Sequence, residues 1–312
     1  MAERDLIERL DELIDAIVAG KRMPALEPEL AMLAVIASDL HGLPDPRFRA
    51  RLARELVPQK EKGMEAVATV KDVRPYFIVR GADDLIAFLQ QTFDAEVVLR
   101  VPTPAGTVMH AEVRVGDSLV EMGDAGGQWE PLAAPMHVYI ADVDEAYRRA
   151  IAAGATSLYA PIDQPYGDRE AGVVDQRGIE WFLATRLEGG PRPAGYGTLT
   201  TGFRAAEAKR MLEFLEKAFG AVHVSGGMEH AEVRVGETMI ELSEAHGQWG
   251  PTRGAFHLFV SDCDAVYAEA LLAGATSIWA PEDKPYGERS AGVTDAWGNQ
   301  WYIATPLRKS GA

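Results

Sequence analysis

Apolar residues at Leu6, Leu10, Leu13, Ile14 and Ile17 recur at helical spacing, which predicts an amphipathic helix near the start of the chain. A second helix is expected from Pro28, a favourable first-turn residue, to about Leu40, before Gly42 and Pro44. A third has Asp45 as N-cap and Pro46 at its first position, and runs to about Leu56. Residues 1–60 are therefore read as a small all-α segment, and "PQKEKG" (Pro58–Gly63) as a solvated linker. Their apolar surface is modest, so they are expected to pack on the outside of the remainder or to serve as a docking arm for a protein partner.

Beyond the linker the period changes from helical to alternating. Strands are expected at Tyr76–Val79, Glu96–Val101, His110–Val115 and Ser118–Met122, with a helix at Asp83–Phe93. The order then recurs as strand Met136–Ala141, helix Val143–Ala153, and strands Ser157–Pro161, Gly172–Asp175 and Ile179–Ala184. This is βαβββ twice over, and the chain then writes it again. "PYGDREAGVVDQRGIEWFLAT" starts at Pro165 and "PYGERSAGVTDAWGNQWYIAT" at Pro285. "HAEVRVG" occurs at His110 and His230, and "GQW" ends at Trp129 and at Trp249. Upstream of His110 the first copy is longer by six residues, at an expected hairpin turn, where a length change leaves the ladder intact.

The fold class is thus α+β: tandem βαβββ modules, four in all, forming curved mixed sheets around clefts, preceded by a small all-α segment. The expected divisions are 1–60, a first repeat over 70–188 and a second over 194–308. A βαβββ module has one helix for four strands, so its helix covers one sheet face and the other must meet a partner or line a cavity.

Composition narrows the function classes. The 312 residues carry a formal charge of −16, which argues against a general nucleic-acid or anionic-membrane binder. Cys263 is the lone cysteine, so an internal disulfide is impossible and a Cys-based metal site is not expected. The N-terminus mixes acids and bases through its apolar positions and does not read as a secretory signal, and no apolar run approaches membrane-spanning length. A cytoplasmic protein is expected. There is no GxGxxG, P-loop, GxSxG elbow or HExxH.

The strings "HAEVRVGDSLVEM", "HVYIADVDEAYRRAIAAGAT" and "PYGDREAGVVDQRGIEWFLAT", with their second copies, resemble the vicinal oxygen chelate superfamily of glyoxalases, bleomycin-resistance proteins and dioxygenases. The PhnB-like branch looks nearest. The resemblance implies a metal site in some members, where a divalent ion held by His, Gln and Glu polarises vicinal oxygens. It implies no one activity, because this fold hosts lyases, dioxygenases, transferases and plain binding proteins.

Carried over position by position, the resemblance offers Glu121 and Glu241 on the fourth strands and His137 and His257 on the fifth as candidate metal ligands. Each Glu could instead be a strand-end carboxylate meeting solvent or an Arg. Each His lies two residues later than the usual ligand, on the same strand face, and could equally be a core histidine. The first-strand positions hold Tyr76 or Phe77 and Gly197 or Thr198, none a ligand of the expected type. The last strands carry Trp181 and Trp301 where a ligating Glu or Gln is expected, with Glu180 and Gln300 on the opposite face from it if Trp packs inward. His110 and His230 are read as exposed strand-start residues.

Arg169 and Arg289, after Tyr166 and Tyr286, suit a carboxylate or phosphate ligand if they aim at a cleft; otherwise they are expected to pair with Glu121 or Glu241. Trp129 and Trp249 either stack on a ligand or cap a core. Asp175 and Asp295, with Gly178 and Gly298, read as turns before the final strands.

Two functions follow. The first is a binding protein that holds a small molecule in clefts between modules through Tyr166, Arg169, Tyr286, Arg289, Trp129 and Trp249, with no tightly held cofactor. The alternative is a divalent-metal-dependent glyoxalase-type lyase or dioxygenase-like enzyme using Glu121 or Glu241 with His137 or His257. The expected partners are a small-molecule ligand, neither nucleic acid nor membrane. The chain is expected to be a monomer with an internal pseudo-two-fold, or a dimer. Because simple members of the resembled family build each cleft from two chains, a crossed arrangement is expected, with Glu121 sharing a cleft with His257 and Arg289, and Glu241 with His137 and Arg169; the alternative is that each repeat closes on itself, pairing Glu121 with His137.

Overall fold

The computed structural model describes residues 68–188 and 190–307. The expected N-terminal helices and the linker at 58–63 lie outside these residues. The described chain opens with β1 (Val70–Val79), α1 (Ala82–Phe93), β2 (Glu96–Pro102), β3 (Val108–Val115) and β4 (Ser118–Asp124). It continues with β5 (Met136–Tyr139), α2 (Val143–Ala152), β6 (Thr156–Asp163), β7 (Asp168–Val174) and β8 (Glu180–Arg186). The same order returns as β9 (Leu199–Ala205), α3 (Ala208–Phe219), β10 (Val222–Ser225), β11 (Ala231–Val235) and β12 (Thr238–Glu244). It closes with β13 (Ala255–Val260), α4 (Cys263–Leu272), β14 (Thr276–Lys284), β15 (Glu288–Thr294) and β16 (Gln300–Pro306). No helix among the described residues is long and apolar enough to cross a membrane.

The sixteen strands form two mixed sheets of eight, in the orders β14-β15-β16-β13-β1-β4-β3-β2 and β10-β11-β12-β9-β5-β8-β7-β6. Each sheet therefore takes four strands from each half of the chain. The seam in the first is β1 against β13, antiparallel, with Arg74 opposite His257 and Tyr76 opposite Ala255. The seam in the second is β5 against β9, with His137 opposite Thr200.

The hydrophobic cores follow the other pairing. One gathers Phe77, Phe88, Phe93 and Trp181 with the apolar faces of α1 and α2. Its counterpart gathers Phe203, Phe219, Phe256 and Trp301 with α3 and α4. Trp181 sits 5.9 Å from Phe77, and Trp301 sits 5.9 Å from Phe203, ring centre to ring centre. Each last-strand Trp thus packs on the first-strand Phe of its own half. Each core is built mainly within one half, with Leu199 joining the first and Val70, Val73 and Ala134 joining the second, while each sheet is built across halves.

Local chemistry fixes the element ends. Asp142 and Asp262 cap α2 and α4, accepting from the amides of Glu145 at 2.9 Å and Ala265 at 3.1 Å. α1 and α3 have no cap of their own and borrow one from the neighbouring strand. Asp124 accepts from Gly81 N and Ala82 N, and Glu244 from Glu207 N and Ala208 N, placing a carboxylate at each positive helix end. Asp175 accepts from the amides of Arg177 at 2.8 Å and Ile179 at 3.0 Å, and Asp295 accepts likewise from Trp297 and Asn299, which makes the expected turns.

Two boundaries depart most from the sequence reading. β1 starts at Val70 rather than Tyr76, because "VKDVRP" carries no clean alternation and is made a strand by its long-range partner β13. β7 starts at Asp168 rather than Gly172, since "DRE" looks like turn but pairs with both β6 and β8.

Candidate functional site

Each sheet turns the face away from its helices toward a cleft. In the first cleft the Glu121 carboxylate meets His257 Nδ1 at 2.8 Å; in the second Glu241 meets His137 Nδ1 at 3.0 Å. A carboxylate only accepts, so Nδ1–H is the donor in both. This is the crossed arrangement, and its cause is the seam register, which brings β13 beside β1 and β5 beside β9.

The surroundings of the two pairs differ. Glu121 has a side chain only 2% exposed, and both its oxygens are taken: Oε2 by His257 and Oε1 by Arg74 Nη1 at 3.2 Å. Arg74 is held by Asp72 at 3.0 Å and lies over the Phe259 ring at 4.3 Å. Tyr76 is the neighbour of Glu121 in register, and its ring stands edge-on to Tyr302 at 5.5 Å. Tyr302 stacks with Trp279 at 5.5 Å, and Trp129 meets both edge-on. The first cleft is filled by its own side chains. Burial pushes the Tyr76 phenol up, so it stays protonated. Burial works against the charge of Glu121, yet His257, His110 and Arg74 together hold it below its ordinary range.

The second cleft encloses a cavity of about 640 Å³. Aromatic walls come from Tyr139, Tyr159, Phe182, Tyr196 and Trp249, and acids from Asp168, Glu170, Glu232 and Glu241. Glu241 is 14% exposed, with Oε1 on His137. Burial opposes its charge, but His137 outweighs it and holds the carboxyl below its ordinary range. Burial likewise disfavours the His137 imidazolium, and the Glu241 carboxylate reverses this and holds it above its ordinary range, with help from Glu170 and Asp168. Among the described residues, His137 Nε2 and Asp168 Oδ1 are buried without a hydrogen-bond partner.

The sequence-predicted residues land as follows. Glu121, His257, Glu241 and His137 are all in clefts, in pairs. Trp249 lines the second cavity, and Trp129 packs in the first. Tyr166 stands exposed at the mouth of the second cavity and donates to Glu170 at 2.7 Å; Tyr286 is exposed. Arg169 and Arg289 do not enter a cleft and do not pair with Glu121 or Glu241. Arg169 forks onto Asp144 at 2.7 Å and reaches Asp163 at 2.8 Å, and Arg289 does the same with Asp264 and Asp283. Alternation is the reason: Asp168 and Glu170 face the cavity, so the Arg between them points to the helix side. His110 is not a bare strand-start residue, since its Nδ1 lies 3.5 Å from the Tyr76 hydroxyl. His230 is exposed, at the edge of the second cavity.

Sequence reasoning missed Arg74, Asp168, Glu170, Arg186 and Gly202. The signal for Asp168 and Glu170 was in "YGDRE", where acids flank the Arg at strand spacing. Arg74 and Gly202 gave none, because their position depends on the seam.

Each cleft offers one Glu and one His of the types that ligate a divalent ion. Among the described residues no three His, Cys, Asp or Glu side chains converge as a metal group. Each Glu–His pair is bonded to itself, and the last strands present Phe182 and Tyr302 to the clefts while Trp181 and Trp301 lie in the cores. Three protein ligands are the usual minimum for a catalytic divalent site.

A family model described as Glyoxalase/Bleomycin resistance protein/Dioxygenase superfamily matches residues 70–183 and 199–303. The chain is 32% identical over 136 residues to an uncharacterized protein of Mycobacterium tuberculosis, covering 40% of this chain and 80% of that protein. It is similar in structure to glyoxalase I from Zea mays, with a TM-score of 0.59 at 16% identity, over 76% of this chain and 93% of that one. It is also similar to a putative dioxygenase from Bacillus subtilis, with a TM-score of 0.53 at 12% identity, over 77% of this chain and 86% of that one. At such identities the two structures speak for the fold alone.

Proposed function

Because the chain belongs to the glyoxalase/bleomycin resistance protein/dioxygenase superfamily, we propose that it binds a small organic molecule in a cleft built from both of its halves, without a tightly held divalent ion. The observation that carries this reading is the second cavity. Its volume and aromatic walls suit a small molecule, and its many charged side chains supply the polar groups to orient one. The full engagement of Glu121 supports it for the first cleft, since a carboxylate with both oxygens taken by Arg74 and His257 is poorly placed to ligate.

The second reading, a divalent-metal-dependent glyoxalase-type lyase or dioxygenase-like enzyme, draws on the same Glu121, His257, Glu241 and His137. What supports it is that one Glu and one His meet in each cleft, both of them residue types that ligate divalent ions. Elemental analysis of protein purified without chelator from unsupplemented cells separates the two. The binding reading expects well under one divalent ion per cleft; one ion per cleft, lost in Glu241→Gln and Glu121→Gln, overturns it.

Within the superfamily we place the chain nearest the PhnB-like branch, on the strings at 110–122 and 165–185. We also propose a cytoplasmic location and a docking role for residues 1–60. Tyr166 at the mouth, with Trp249 inside, is proposed to contact the ligand; Arg169 and Arg289 are not.

A further inference from the structure

The two clefts are copies whose differences are informative. Seam and register make Arg74 of the first equivalent to Thr200 of the second, each opposite its His, and Tyr76 equivalent to Gly202, each beside its Glu. The first cleft holds a guanidinium on Glu121 and a phenol ring beside it. In the second, a short hydroxyl replaces the cation and a hydrogen replaces the ring. A Cβ on Gly202 would meet only Glu241 Oε2, at 3.9 Å, so the space beside it is open. Glu241 Oε2 accepts no hydrogen bond among the described residues, whereas both oxygens of Glu121 are used.

We infer that the second cleft binds an organic cation bearing a flat aromatic group, its charged nitrogen donating to Glu241 Oε2 and its ring lying where Tyr76 lies in the first cleft, and that the first cleft, which carries Arg74 and Tyr76 in those places, binds none. The inference rests on the proposed small-molecule reading and names its ligand class and stoichiometry.

Charge and burial agree with this. Asp168, Glu170 and Glu232 add to Glu241 around the cavity, while Arg204 is committed to Glu180 at 2.6 Å, which leaves Arg186 and His137, with His230 and His246 at the exposed edge, as the opposing groups. Asp168 Oδ1 lacks a hydrogen-bond partner and is 3.7 Å from Arg186 Nε; the longer Glu288 at the equivalent place in the first cleft comes within 3.7 Å of His257 Nε2. A buried acid group short of donors is relieved by a ligand that brings them. The Tyr159 ring in the cavity wall favours a cation further, while Trp249 already carries the Arg204 guanidinium, 5.4 Å from its ring centre.

The test uses the full chain and three probes alike in shape: benzamidine, which is a cation, neutral benzamide, and benzoate. Isothermal titration is expected to give one benzamidine site per chain and at least ten-fold weaker binding of the other two. Gly202→Tyr, which installs the first cleft's own ring, should weaken benzamidine at least ten-fold, as should Glu241→Gln. If melts show that Gly202→Tyr does not fold, Gly202→Leu takes its place. The double substitution Arg74→Thr with Tyr76→Gly should raise the stoichiometry to two. Two sites in the unaltered chain, or binding that ignores Gly202, overturns the inference. Benzoate or benzamide binding in a Gly202-dependent way while benzamidine does not refutes the cation and leaves the small-molecule reading standing. No binding by any probe refutes the inference and removes support from that reading as well.

Discussion

Glu121 accepts a hydrogen bond from His257 at 2.8 Å although 136 residues separate them, while His137, much nearer in sequence, serves the other sheet. The relationship shows why the chain is duplicated. A half folds its core around its own Trp, but its sheet is completed by the other half.

Pairwise coupling should follow the crossed pattern. In double-mutant cycles on thermal or urea unfolding, Glu121 and His257 are expected to couple by about 1.5–3 kcal/mol, and Glu121 and His137 by close to zero. Equal coupling in both cycles would contradict the assignment.

Glu121→Gln should cost more than Glu241→Gln. The first strips charge from a carboxylate with two donors and leaves Arg74 and His257 facing a neutral amide, a loss of about 3 kcal/mol. Glu241 has one donor and more solvent, so about half that is expected. Urea midpoints at constant slope check the order.

The Glu241–His137 pair predicts a window of pH. Glu241 is held below its ordinary 4.5, so its contribution is present above that value and is lost as pH falls through the folded, lower pKa. His137 is held above its ordinary 6.5, so its contribution is complete below that value and is lost as pH rises through the folded, higher pKa. The pair is therefore expected to stabilise most between about 4.5 and 6.5. Melts of His137→Asn should lose the decline above this window that the unaltered chain shows. Parallel curves for the two proteins would refute it.

Gly236 has a φ of +61°, and a Cβ there would lie 2.5 Å from the Val70 carbonyl oxygen. Gly236→Ala combines backbone strain with a clash against β1, and should destabilise by about 2 kcal/mol or more. Gly167→Ala is a fair comparison, since it has similar strain at a φ of +94° but meets nothing within 4 Å. A smaller loss at 236 than at 167 would contradict the packing described.

Arg169→Ala and Arg289→Ala should leave ligand binding unchanged and shift the urea midpoint little, as their partners are exposed acids outside the clefts. A ten-fold loss of probe affinity in Arg169→Ala would put the Arg back in the cleft.

Much of the fold was legible because its signals are local. Alternation marked most strands, Asp142 and Asp262 marked two helix starts, and "VDQRG" and "TDAWG" marked two turns. The Glu and His of the clefts were also legible, each as a polar residue on an apolar strand. What was hidden lies at the seam. Nothing near Arg74 says that His257 will stand opposite, and nothing near Gly202 says that Glu241 will lie beside it. The outward turn of Arg169 follows from its neighbours Asp168 and Glu170 taking the cavity face, which the sequence alone does not say.

The most direct measurement is the indole N–H region of a heteronuclear NMR spectrum as benzamidine is titrated into the full chain. Trp249 lines the open second cleft, and Trp129 packs into the filled first one. With signals assigned by Trp249→Phe and Trp129→Phe, the account predicts that the Trp249 signal moves and saturates while the Trp129 signal stays in place. Parallel movement of both signals would mean two equivalent clefts and would contradict it.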